Sequence, residues 1–84
     1  MLFWVFGYRE GEPNYMSWTE CDTTNKDKAI NHLYEVMQRD EAESLSDGKE
    51  FEILDMIEIT NTLEYVIADG YGQPYHYGVG CEEC

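Results

Sequence analysis

Only one stretch of this chain repeats with the period of a helix. Ala29, Ile30, Leu33, Tyr34 and Met37 recur at three- and four-residue steps, while Lys26, Lys28, Glu35, Gln38 and Arg39 fall off that stripe. Every other apolar run is a short segment bounded by Gly, Pro, Asn or Asp. A single amphipathic helix has one face to bury, and the strand-like segments before and after it supply a sheet to bury it against. The spacing predicts a helix over 25–43. Thr24 and Asp27 stand at capping-box spacing, Asp27 suits the positive end of the helix dipole, and Gly48 marks the stop.

Residues 2–8 are aromatic and β-branched and read as a strand; Gly11, Pro13 and Asn14 turn the chain, and 15–21 return as a second strand. Two registers fit this hairpin. Trp18 faces Phe6 with Met16 facing Tyr8, or Trp18 faces Val5, and a one-residue slip exchanges the faces. The first strand is apolar on both sides, with Leu2, Trp4, Phe6 and Tyr8 on one and Phe3 and Val5 on the other. That predicts a central strand whose second face is also covered, for instance by another protomer.

Residues 49–59 form a third strand, with Phe51, Ile53, Ile57 and Ile59 on one face and Glu50, Glu52, Leu54, Met56 and Glu58 on the other. Asp55 then falls on the apolar side. A bulge that re-aims it is preferred over a buried partner, because an unpaired buried carboxylate costs several kcal/mol. A turn at 60–62, a strand at 63–68, a turn at 69–74 and a short edge strand at 75–79 complete the chain. The fold class is α+β. One domain over 1–84 is expected, an antiparallel sheet of four to five strands in the order β-β-α-β-β(-β) with one helix on one face, and a loose tail at 80–84.

Composition narrows the partners. Lys and Arg number 5 against 18 Asp and Glu, a formal charge of −13, yet 43% hydrophobic and 14% aromatic residues argue against disorder. A chain of this length buries only about 60% of its unfolded surface, which excludes a dinucleotide-binding fold or a deep active site. The charge repels phosphate and anionic lipid, so neither nucleic acid nor membrane is a direct partner, and a basic protein surface is. The apolar start, Met1 to Phe6, is too short to span a bilayer and lacks a basic region before it. A cytoplasmic protein with reduced cysteines is expected.

No residue pattern names a reaction. His32 and His76 are the only histidines, and neither sits in a nucleophile or phosphate-loop motif, so neither an enzyme nor a cofactor is expected. No Asp-x-Asp-x-Asp-Gly calcium loop is present. The candidate metal set is His76-x4-Cys81-x2-Cys84 with Cys21, since thiolate and imidazole are zinc donors and Cys-x2-Cys has knuckle spacing. Against it, Cys84 is the last residue of the sequence and Glu82 and Glu83 crowd the site. Free thiols in an acidic tail, or a disulfide, are the alternatives.

Charge placement says more. From residue 35 to 58 there are nine acids and two bases, 2 − 9 = −7, and no base follows Lys49. The candidate partner-binding residues are Glu35, Asp40, Glu41, Glu43, Asp47, Glu50, Glu52 and Glu58. Glu50, Glu52 and Glu58 are expected on one strand face at multiples of about 6.7 Å. Carboxylates on that pitch can resemble a phosphate backbone; like charges so placed cost stability, which makes them candidates for function. A merely solubilising face is the plain alternative.

In size, charge and small α+β layout the chain resembles the phage and mobile-element proteins that inhibit host enzymes, including anti-CRISPR proteins and other DNA mimics. The resemblance lies in general character and carries no motif. It implies stoichiometric blocking, without a cofactor, of the basic nucleic-acid-binding surface of a host defence protein such as a CRISPR effector, in the cytoplasm of a bacterial host. The competing expectation is a small homodimeric module joined through its aromatic sheet face, with Tyr8, Tyr15, Tyr65, Tyr71, Tyr75 and Tyr77 as amphipathic anchors.

Overall fold

The computed structural model describes residues 1–83. Its elements are β1 (Phe3–Arg9), a single 3-10 turn at Asn14–Met16, β2 (Trp18–Thr23), α1 (Lys26–Ser46), β3 (Glu52–Ile59), β4 (Thr62–Ala68) and β5 (Tyr75–Cys81). The strands make one antiparallel sheet in the order β2-β1-β5-β4-β3, and α1 packs on one face of it, against β1, β2 and β5. The fold is α+β, as the one helical repeat predicts.

Asn25 caps the helix, its side chain accepting the Lys28 N–H at 3.2 Å, so the cap falls one residue after Thr24. The helix runs three residues beyond 43 and stops before Gly48, whose φ of 73° is the left-handed conformation that glycine adopts without strain. Ala29, Leu33, Val36 and Met37 form its buried face, and Tyr34 is left exposed. Against them pack Phe3 and Val5 of β1, Tyr77, Val79 and Cys81 of β5, and Leu63 and Ile67 of β4.

The N-terminal hairpin takes neither expected register. Trp18 lies opposite Gly7 and Thr19 opposite Phe6, and residues 14–16 stay out of the sheet. The cause is steric: a Cβ on Gly7 would lie 2.4 Å from the Trp18 ring, so the indole occupies the space that glycine leaves. Its Nε1 donates to the Tyr75 hydroxyl at 2.7 Å.

The strand expected at an edge is central. β5 pairs with β1 on one side and β4 on the other. It continues through Cys81, and the Glu82 N–H donates to the Leu2 carbonyl at 3.0 Å, so residues 80–82 are not a loose tail. Glycine within a strand often marks the close approach of another group, and β5 holds Gly78 and Gly80. Here they are sites of close approach: a Cβ at Gly78 would lie 2.4 Å from the Phe6 ring, and one at Gly80 would lie 2.8 Å from Trp4 Nε1. On the second face of β1 the Phe6 and Trp4 rings lie across the backbone of β5 and are half-buried there, with no second layer packed over them among the described residues.

Candidate interaction surface

Because α1 covers β1, β2 and β5, the far side of the sheet is left open, and β3 is its edge. All eight residues of β3 are exposed. Its five large apolar side chains range from 40% exposed at Ile57 to 63% at Ile59. The one substantial neighbour of β3 is β4, and the molecule is drawn out to 39 Å along its longest axis.

The register of β3 on β4 shifts between Ile53 and Asp55, which places the expected bulge at Leu54. Its consequence for the glutamates is a correction. Glu52 lies beside Ala68, on the face away from the helix, whereas Glu58 lies beside Leu63, on the helix side. Glu50 precedes the strand. The three do not share one face, and the regular carboxylate pitch is lost, because one inserted residue inverts the alternation downstream. Asp55 is moved to the outer face beside Val66, exposed, with its Oδ1 accepting the Met56 N–H at 2.8 Å. After the bulge Met56 is on the helix side and Ile57 and Ile59 on the outer side. Both faces of the edge strand therefore carry apolar and acidic groups.

Each face also has a depression beside β3. On the helix side a groove of about 480 Å³ is lined by Tyr34, Met37, Glu41, Phe51, Ile53 and Tyr65 among others. The Tyr34 and Tyr65 rings meet edge to face at 6.3 Å, and hydrogen bonding to Tyr34, then burial, pushes the Tyr65 phenol up to about 12. On the outer side a groove of about 340 Å³ lies between Phe6 and the Ile57 and Ile59 side chains.

The other acidic candidates divide. Glu41 and Glu43 on the last turns of α1, with Glu50 and Glu52, are exposed and enter no ion pair among the described residues; nor do Asp55 and Glu58. No base occupies the last helical turn, where the dipole favours one. Asp47 is the helix C-cap and accepts the Tyr71 hydroxyl. Asp40 is turned to internal work: it accepts the Tyr77 hydroxyl at 2.7 Å, and burial together with this bond drives the Tyr77 phenol strongly upward. Glu35 lies apart from the groove, 4.0 Å from His32, lining a different depression with Cys21 and Asn25.

The metal set does not assemble. His76 and Cys81 are five steps apart on β5, about 17 Å, and an odd number of steps sends their side chains to opposite faces. Cys81 faces the core and is disulfide-bonded, against the expectation of reduced cysteines, and Cys21 is a free thiol on β2. Cys84 lies outside the described residues. His76 stacks on Tyr8 at 4.4 Å and sits between Glu10 and Glu64, each at 3.3 Å. No group of three or more His, Cys, Asp or Glu among the described residues is placed to hold a metal ion.

One internal ion pair was not anticipated. Arg9 donates to both carboxylate oxygens of Asp69, at 3.0 and 2.8 Å, where the Asp69 side chain is almost wholly buried. Burial alone would raise the Asp69 pKa, but the Arg9 hydrogen bonds, the Tyr71 N–H and the Arg9 charge together hold it below the usual carboxylate range. Sixty residues separate the pair, so no local pattern marks it.

No helix among the described residues is long and apolar enough to cross a membrane. Comparison with protein-family models, with curated proteins and with solved structures finds no match to this chain.

Proposed function

We propose that the chain is a non-enzymatic interaction protein that engages a basic surface of a larger, nucleic-acid-binding partner and blocks it, as the resemblance to small acidic inhibitors implies. The setting is the cytoplasm of a bacterial host. The observation that carries the reading is that an open part of the molecule, β3 with the end of α1, combines solvent-exposed apolar side chains with carboxylates that enter no ion pair among the described residues. Apolar area supplies affinity in an interface, while unneutralised charge steers the encounter and selects a partner of opposite sign.

The mechanism is competition. Glu41, Glu43, Glu50, Glu52, Asp55 and Glu58 meet the lysines and arginines that would otherwise neutralise phosphates. Regular phosphate mimicry along one strand face forms no part of the reading, given where the bulge puts Glu52 and Glu58.

The test is capture from a bacterial lysate at low and high salt, with nucleic acid as competitor. The reading expects capture of nucleic-acid-binding proteins that weakens steeply with salt and is lost when Glu50, Glu52 and Glu58 are reversed to Lys. Capture indifferent to salt and to these reversals overturns it.

A further inference from the structure

We infer that β3 is a docking edge, to which an extended segment of the partner, alternating basic and apolar side chains, adds as a sixth strand antiparallel to β3. The inference rests on the reading above and specifies how the basic partner is held. Four observations carry it.

The first is that β3 is an eight-residue edge, and from Asp55 to Ile59 it runs in unbroken register opposite Val66 to Thr62. An edge strand presents a row of unpaired backbone N–H and C=O groups, which another chain can complete. The second is composition. A strand covered on one face alternates apolar with polar, yet β3 has Ile53 and Met56 on the helix side and Ile57 and Ile59 on the outer side. That is the composition of a strand with neighbours all round, in a position that has one.

The third is the pair of grooves flanking β3, of about 480 and 340 Å³. Alternate side chains of an added strand point to opposite faces, so one set lies toward each groove. The fourth is charge, which decides between occupants. A second copy would bring Glu52, Asp55 and Glu58 against the same three residues, with no base on either strand. Like charges across a strand pair are destabilising, and opposite charges stabilise. The acids that bar self-pairing therefore admit a strand rich in Lys or Arg.

The probe is a short synthetic peptide alternating lysine with valine, titrated into the isotopically labelled full chain and followed by amide chemical shifts and hydrogen exchange. Three further peptides accompany it: one with glutamate for lysine, and two N-methylated at alternate amides, along one edge or the other. The expected result is saturable shifts and slowed exchange at Asp55 to Ile59. Methylation along one edge should weaken binding by about tenfold or more, because several backbone hydrogen bonds are lost together, while methylation along the other edge leaves it unchanged.

Equal binding by both methylated peptides, or shifts confined to the end of α1, overturns strand addition and leaves the acidic-interaction reading standing. Binding of the glutamate peptide at β3 as tightly as the lysine peptide overturns the basic occupant, and with it that reading. Self-association of the free chain that buries β3, seen in sedimentation and abolished by Ile57→Lys, makes the occupant a second copy and overturns the proposal.

Discussion

The two halves of the sheet are built to different rules. In the half formed by β2, β1 and β5, the helix covers one face, and on the other face the Phe6 and Trp4 rings lie across the β5 glycines. In the half formed by β4 and β3 cover thins toward the edge. Leu63 and Ile67 of β4 still belong to the core, and no residue of β3 does. The difference teaches where folding and binding are divided along the chain. Stability resides in the first half together with the inner face of β4, and β3 holds apolar surface that is left wet.

The sharpest way to break that comparison is to truncate one apolar side chain in each half. Leu33→Ala, in the covered half, is expected to cost about 2–5 kcal/mol in denaturant unfolding, and Ile59→Ala within about 0.5 kcal/mol. Similar losses at both positions would mean that β3 belongs to the core after all. Next in size is Gly78→Ala. The new methyl meets Phe6 at 2.4 Å and the Leu63 carbonyl oxygen at 2.6 Å, so overpacking of about 1–3 kcal/mol is expected, read as a lowered melting temperature.

Asp69→Asn probes the polar tie between β1 and the turn after β4. Loss of the paired bonds to Arg9 should cost about 1–2 kcal/mol near neutral pH. The folded pKa of Asp69 is lowered, so its contribution is fully present above the unfolded value of about 3.9 and is lost as pH falls through the folded value. Stability measured against pH should accordingly fall less steeply below about pH 4 in the variant than in the natural chain. The smallest effect expected is local. Amides of β3 should exchange faster than those of β5, by openings that leave the rest folded, and equal protection would erase the distinction between the halves.

How much of this was legible beforehand depended on whether the signal was local. The helix, its buried face through Ala29, Leu33 and Met37, and the strand segments follow from periodicity, which is a local property. The bulge could be anticipated because Asp55 violated the alternation. One inserted residue inverts every side chain after it wherever in the strand it falls, and a common face for Glu50, Glu52 and Glu58 supposes an unbroken alternation, which is why it failed. The short edge strand expected at 75–79 is instead central, and the fit that seats it there, Phe6 and Trp4 lying on Gly78 and Gly80 more than seventy residues later, leaves no local mark in the sequence. Of the candidate surface, the acidic excess was plain. The apolar edge was not, since exposure depends on strand order, and the order β2-β1-β5-β4-β3 puts the third strand outermost only through a pairing between the two ends of the chain. Asp40 illustrates the converse, a carboxylate counted as surface that is spent on the Tyr77 hydroxyl.

The seating of the indoles has an optical consequence. Both tryptophans lie in the covered half, Trp4 against Gly80 and Trp18 over Gly7 with its Nε1 bonded to Tyr75, and the β4–β3 hairpin has none. Tryptophan emission excited apart from the tyrosines therefore reports first on whether the helix-covered half is intact. Trp18 lies on the edge strand farthest from β3, whereas Trp4 lies on Gly80, which lines the outer groove. A chain keeping Trp18 alone registers loss of the fold and so acts as a built-in control for docking at β3 measured by other means.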